Sequence, residues 1–214
     1  MIKTVIFDYD ETLTKTMEAR AIAYSDFAKS EYDQELSIEK VKQTFGKPYE
    51  QFIEILYGEV EDIETIIAKY QKFSENYPAI PYGGAIEVVN HLFSKYLVGI
   101  VSGVRRRGIQ KDLETLGVEQ KYLFHLQCGD DTTILKPDFR VFDPLILKLN
   151  MCRICPNQVV YVGNDLKDFE ASTGAGFHFI GLANHTDPIS KFVKVGASCI
   201  TDFADLEAEI SRIV

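Results

Sequence analysis

Acidic side chains fall close together just after two apolar runs of this chain. Asp8 and Asp10 stand two residues apart in Asp8-Tyr9-Asp10-Glu11-Thr12, and Asp165 and Asp168 share the stretch Gly163-Asn164-Asp165-Leu166-Lys167-Asp168. Between these lie a hydroxyl, in Ser102-Gly103, and an ammonium, in Lys136-Pro137. Carboxylates gathered at one point repel one another unless a cation sits among them, and oxygen donors beside a phosphate cleft favour Mg²⁺. A Lys and a hydroxyl alongside can hold the oxygens of a transferring phosphoryl group. One carboxylate can serve as nucleophile and its neighbour as general acid, which splits a hydrolysis into two easier steps.

For this chemistry the four segments must meet, and the chain between them says how. Short β-rich runs alternate with helical patterns, which predicts an α/β fold with a doubly wound parallel sheet. The predicted strands are Thr4–Phe7, Leu97–Val101, Phe124–Gln127, Val159–Val162, Phe177–Leu182 and Cys199–Thr201. Most are near-continuous apolar runs, as strands covered on both faces must be. Helical stripes follow at Ile86, Val89, Phe93 and Tyr96, at Ile109, Leu113 and Leu116, at Phe142, Leu145, Ile146 and Leu149, and at Phe203, Leu206, Ile210 and Ile213. These stripes read as core. From about Lys15 to Ile80 no strand is predicted, while Met17, Ala21, Tyr24 and Ala28, then Ile63, Ile66, Ile67, Tyr70 and Tyr77, keep helical spacing. The expected organisation is a core domain of residues 1–14 and 81–214 with a helical domain, 15–80, inserted after the first strand. Ligands of open α/β sheets bind outside the carboxyl ends of the strands, and all four polar segments follow predicted strands.

In that order, Asp8-Tyr9-Asp10-Glu11-Thr12, Ser102, Lys136-Pro137 and Gly163–Asp168 resemble the four motifs of the haloacid dehalogenase superfamily, in the branch of phosphoglycolate phosphatase and β-phosphoglucomutase with a helical cap. The similarity extends through Tyr82-Gly83-Gly84-Ala85 and Ala175-Gly176. The resemblance implies a Rossmann-like core and a cap that closes over the site and excludes water. It implies that Asp8 is the nucleophile, forming an aspartyl-phosphate, and a Mg²⁺ ligand. Asp10 would protonate the leaving group and then activate water, its backbone carbonyl reaching the metal. Ser102, Gly103 and Lys136 would bind the phosphoryl oxygens, Lys136 also countering Asp8. Dehalogenases of the superfamily lack an acid at the position of Asp10, so its presence favours phosphoryl chemistry. The expected activity is Mg²⁺-dependent hydrolysis of a small phosphorylated metabolite. A sugar phosphomutase would use the same residues, and a phosphometabolite-binding or phospho-signalling domain is the alternative from another class.

Two positions depart from the family pattern. Glu11 stands where Gly is common. Asn164 stands where members carry a metal-binding Asp, with Asp168 as the second acid. Either Asn164 ligates the metal directly, through a carbonyl without charge, or the loop shifts and Asp165 supplies the carboxylate. Four further residues are candidates for substrate specificity. Lys47, in the turn Gly46-Lys47-Pro48, is one, with Arg20 and Tyr24 on the first inserted helix. Arg105 opens Arg105-Arg106-Arg107, cations that oppose the dipole of the helix they begin. Asp130-Asp131 read as turn formers, and His178, within an apolar strand, as a core residue.

Acids outnumber bases 32 to 23, for a net charge of −9. Proteins that hold nucleic acid or anionic membrane by counterion release show the reverse balance, so neither is an expected partner. No segment approaches the length of an apolar membrane span, and the N-terminal run is too short for a signal peptide, which leads to an expected cytoplasmic location. Its four cysteines, Cys128, Cys152, Cys155 and Cys199, are then expected to be reduced thiols. Cys152-Arg153-Ile154-Cys155 is half a zinc motif with no second half. Oligomeric state has no signal in the sequence.

Overall fold

The computed structural model describes every residue except 46, 48, 59, 76, 105, 185–187 and 214. Gly46, Pro48, Arg105 and His185 therefore lie outside the described residues. The chain divides into two compact units, Met1–Thr14 with Pro81–Val214, and Lys15–Ile80.

In the larger unit, β1 (Thr4–Phe7) is followed after the insertion by α5 (Ala85–Leu92), β2 (Leu97–Val101), α6 (Arg106–Thr115), β3 (Leu123–Gln127) and α7 (Asp143–Met151). The second half adds β4 (Val159–Gly163), α8 (Leu166–Gly174), β5 (His178–Leu182), α9 (Ile189–Val193), β6 (Ser198–Ile200) and α10 (Leu206–Arg212). Among the described residues the strands form one six-stranded sheet in the order β3-β2-β1-β4-β5-β6, every pairing parallel. The strands agree with the sequence reading to within one residue at each end, because buried parallel strands write themselves as apolar runs.

Side chains alternate across the sheet and define two cores. Val5, Phe7, Val98, Ile100, Val160 and Val162 face one side, covered by α5, α6 and α10 through Val89, Ile109 and Ile210. Ile6, Tyr161, Val159 and Val101 face the other, with Leu145 of α7, Ala171 of α8 and Phe192 of α9. Several stripes overrun their helices, as with Leu116 beyond α6 and Ile213 beyond α10. α5 ends at Leu92, so Phe93 and Tyr96 pack on the core from the following turn. His178 opens β5 half-buried, its Nε2 3.1 Å from the Asn157 carbonyl oxygen, rather than sitting inside the apolar core.

The strand order reverses between β1 and β4, where adjacent crossovers run to opposite sides and leave a crevice at the carboxyl edge. Phe7 pairs with Ile100 on one side and Val162 on the other. Asp8 therefore leaves the sheet between the ends of β2 and β4.

The smaller unit contains α1 (Thr16–Tyr32), α2 (Ile38–Thr44), α3 (Tyr49–Tyr57) and α4 (Ile63–Ser74). It has its own core of Ala21, Phe27, Val41, Ile53, Leu56 and Ile66. Aromatic rings dominate it: Tyr24 stacks on Tyr70 with centroids 3.9 Å apart, and Phe27 meets Tyr57 edge-on at 5.5 Å. α4 stops at Ser74, so Tyr77 packs from beyond its end. The cysteines carry no disulfide: Cys128 is buried, Cys152 and Cys155 are exposed. No helix among the described residues is long and apolar enough to cross a membrane.

Candidate active site

The loop after β1 is wound tightly on itself. The Tyr9 carbonyl accepts from the backbone N–H groups of Thr12, Leu13 and Thr14, and Asp8 N–H donates to Val162 O of β4 at 2.8 Å. These bonds hold the Asp8 carboxylate, buried, at the switch point. Asp10 follows, half-buried, in an isolated bridge with Thr14. Glu11 adopts the left-handed backbone (φ 54°), the conformation for which Gly is common at this position. Its carboxylate accepts from the Tyr82 hydroxyl at 3.1 Å and its carbonyl from the Asn184 amide at 3.0 Å.

Lys136 brings the segments together. Its ammonium donates to Asp8 Oδ1 at 2.8 Å, to Asp168 Oδ1 at 2.6 Å and to the Tyr161 hydroxyl at 2.7 Å. Three donors thus meet three acceptors. Asp168 is in turn fixed by α8: its Oδ2 accepts from Asp165 N–H at 3.0 Å, and Asp165 Oδ1 accepts from Lys167 N–H at 2.9 Å, forming a capping box at the helix start. Gly163 makes room for this carboxylate, since a Cβ there would stand 2.5 Å from Asp168 Oδ2.

Electrostatics follow from two buried carboxylates beside one ammonium. Burial raises the Asp8 carboxyl above its ordinary range, against the pull of Lys136. Burial and the Asp8 charge push Asp168 up to about 6. Burial also disfavours the Lys136 ammonium, but Asp8, Tyr161 and Asp168 outweigh that effect and hold it well above the ordinary lysine range. The cluster therefore keeps Lys136 charged and leaves its carboxylates short of positive charge.

A second set of oxygens could hold a cation. The Thr12 hydroxyl lies 3.2 Å from Asp8 Oδ2 and 3.2 Å from Asn164 Oδ1, so one proton faces two acceptors. Both acceptors are buried. A small hard cation taking Asp8, Asn164 and Asp168 oxygens, and keeping waters for its other positions, matches this donor set. A cluster of four carboxylates, Asp8, Asp10, Asp165 and Asp168, does not form. Among the described residues no three His, Cys, Asp or Glu side chains gather into a metal-holding group. The reason is local: the Asp165 carboxylate caps α8 and lies 3.8 Å from Lys191, while Lys136 stands between Asp8 and Asp168. The Thr12 hydroxyl links Asn164 to Asp8, while the Asp165 carboxylate is engaged at the start of α8.

Ser102 sits buried at the end of β2, its N–H donating to Gln127 O at 3.0 Å and its Oγ accepting from Val104 N–H at 3.2 Å. That leaves the hydroxyl proton to offer to an anion. Gly103 is exposed, and the loop after β3 crosses so close that a Cβ on Gly129 would lie 2.1 Å from Gly103 O. Of the arginine triplet, Arg106 is built into this crossing: its guanidinium pairs with Asp131 and donates to Leu126 O, while Asp130 accepts from its N–H at 2.9 Å. Asp130 and Asp131 thus offset the unfavourable placing of cations at the start of α6. In the helical unit Arg20 and Lys47 are exposed. Tyr24 is buried in the aromatic core of that unit, so its ring carries packing.

Tyr161 and Thr12 complete the site without having been assigned roles from sequence. Tyr161 is buried within β4, and Thr12 is buried at the end of the first motif.

Comparison with known proteins places the chain in a family. The model of the family described as haloacid dehalogenase-like hydrolase matches residues 5–182. A proposed pyrophosphatase of Clostridium perfringens is 25% identical over 218 residues, covering 100% of this chain and 98% of its own. The N-acetylmuramic acid 6-phosphate phosphatase of Pseudomonas aeruginosa is 25% identical over 183 residues, 82% of this chain and 79% of that protein. Among solved structures, a proposed β-phosphoglucomutase of Thermotoga maritima superposes with a TM-score of 0.85 at 20% identity, covering 100% of both chains. At that identity the likeness speaks for the fold.

Proposed function

Because the chain belongs to the haloacid dehalogenase-like hydrolase family, we propose that it is a Mg²⁺-dependent phosphatase that hydrolyses a small phosphate monoester through an aspartyl-phosphate on Asp8. The observation that carries this reading is the Asp8 carboxylate itself. It is buried at the switch point, bonded by Lys136 at 2.8 Å on one oxygen and by Thr12 at 3.2 Å on the other, with a second acid two residues on.

A carboxylate oxygen of Asp8 attacks phosphorus, the bond from phosphorus to the ester oxygen breaks, and the leaving alkoxide takes the proton of Asp10. Water then attacks the phosphorus of the acyl phosphate, Asp10 takes the proton of that water, and inorganic phosphate leaves as Asp8 is restored. Ser102 and Lys136 hold phosphoryl oxygens during both steps. Bound at the Asp8, Asn164 and Asp168 oxygens, Mg²⁺ supplies positive charge against those of the phosphoryl group. Within this reading the helical unit supplies specificity, and Arg20 and Lys47 are its test residues.

A panel of phosphate monoesters, sugar phosphates included, assayed with Mg²⁺ and with EDTA tests the proposal. It predicts inorganic phosphate released only with the metal. Turnover that survives EDTA would overturn the metal-dependent reading, and an isomerised sugar phosphate without released phosphate would move the assignment to a phosphomutase.

A further inference from the structure

Lys136 has a third partner that neither its charge nor the proposed reaction calls for. Tyr161 is fully buried in the middle of β4, on the same face as Ile6 beside it in register. Its ring packs in the apolar core, where Phe142 meets it edge-on at 5.2 Å. A phenylalanine would fill that space equally well, so the hydroxyl is the feature that needs a reason. It accepts from Lys136 Nζ at 2.7 Å and donates to Val101 O at 3.1 Å. Val101 is the last residue of β2 and the direct predecessor of Ser102. One hydroxyl thus connects the ammonium between the two carboxylates to the strand end that carries the proposed phosphate-binding serine.

We infer that Tyr161 is a positioning residue for Lys136, setting the ammonium between Asp8 and Asp168 and tying its place to the β2 end. The inference rests on the phosphatase reading for its catalytic consequence but not for its geometry. An ammonium on a flexible four-carbon stem has three donors and free rotation. Two carboxylate acceptors leave it able to swing about the line joining them, and a third acceptor on the rigid sheet removes that freedom. Tyr161 uses both its capacities, one lone pair and one proton, so neither the third Lys136 donor nor the buried Val101 carbonyl is left unmet. Asp8 feels the consequence, because its Oδ1 is held by the same ammonium.

The test compares Tyr161→Phe with Tyr57→Phe. Tyr57 is likewise buried and donates to a backbone carbonyl, Tyr24 O, at 3.0 Å, but it belongs to the separate core of the helical unit. The direct readout is the ¹⁵N–¹H signal of the Lys136 ammonium, identified by its absence in Lys136→Arg. It should be slowly exchanging in the wild type and in Tyr57→Phe, and shifted or lost to rapid exchange in Tyr161→Phe. An unchanged signal in Tyr161→Phe would overturn the inference, whether or not the protein turns over any ester. In the activity arm, kcat should fall on the order of tenfold in Tyr161→Phe with KM nearly constant. The same substitution should have no further effect in a Lys136→Ala background, since a residue acting only through Lys136 has nothing left to position. An equal loss in both backgrounds would make Tyr161 independent of Lys136 and contradict the role. No turnover in the wild type would count against the phosphatase reading alone.

Discussion

Thr12 and Asn164 meet across the switch point of the sheet, the Thr12 hydroxyl 3.2 Å from the Asn164 side-chain oxygen and equally far from Asp8 Oδ2. The contact joins the loop after β1 to the loop after β4 and makes the amide of Asn164 part of the Asp8 environment. A carboxylate at 164 would bring a further negative charge to this point, and the neutral amide is compatible with the single proton that Thr12 offers.

Adding that charge is the first prediction. Asn164→Asp should bind Mg²⁺ more tightly, on the order of tenfold, because ligand charge sets affinity in oxygen sites. Asp165→Ala should leave Mg²⁺ affinity within about twofold while losing a helix cap, about 1 kcal/mol of stability. Titration calorimetry with Mg²⁺ and thermal unfolding of both variants measure this. Loss of Mg²⁺ binding in Asp165→Ala would return the ligand role to that carboxylate.

Lys136 stabilises two buried carboxylates at once, its own side chain 15% exposed. Lys136→Ala should cost about 3–5 kcal/mol in the metal-free protein, since it leaves buried charge without a partner. Turnover should fall by at least about 10²-fold. Denaturant unfolding with and without Mg²⁺ checks the first part, and Mg²⁺ should restore some of the lost stability. A variant as stable as the wild type without metal would show that the cluster does not depend on Lys136.

Gly163 tests the packing behind the chemistry. Its missing side chain leaves the space that Asp168 Oδ2 occupies, where a Cβ would stand at 2.5 Å. Gly163→Ala should destabilise by about 1–3 kcal/mol, the range for forcing a methyl group into a packed site. It should reduce turnover as well, because the displaced carboxylate is one of those bonded to Lys136. Unchanged stability and kcat would mean that the β4 end moves freely.

The raised Asp168 carboxyl has a pH signature. A group whose folded pKa lies above its unfolded value binds its proton more tightly in the native state, so protonation favours folding. With Asp168 pushed up to about 6, the metal-free protein should gain stability from this group as the pH falls through 6 toward the ordinary carboxylate range. Metal ligation requires the ionised form, so the rise in Tm on adding Mg²⁺ should be larger at about pH 7.5 than at about pH 5. Equal shifts at both would count against Asp168 as a ligand.

Much of this site is legible in the sequence because the fold places its polar residues at strand ends. Asp8, Ser102 and Asn164 each follow an apolar run, Lys136 comes in the segment after β3, and a parallel sheet sends such residues to one edge. Tyr161 is illegible for the opposite reason. It stands inside the run Val159–Gly163, where a tyrosine reads as core, and its ring does belong to the core. Its hydroxyl meets Lys136, from the segment after β3, only once the chain is folded, a contact that no spacing in the sequence announces. Asp165 and Asn164 are likewise adjacent letters whose separation depends on the helix start: the first residue caps α8 and the second remains beside β1. The acidity of Asp130 and Asp131 gains meaning only from the crossing of the loops after β2 and β3, which places them on Arg106.

Covalent chemistry at Asp8 can be read from mass spectrometry of acid-quenched protein during turnover of an active phosphate ester. One phosphoryl group is expected on the peptide containing Asp8, formed with Mg²⁺, absent with EDTA, and absent together with turnover in Asp8→Asn. Undiminished turnover in Asp8→Asn, or a phosphoryl group on another residue, would contradict it.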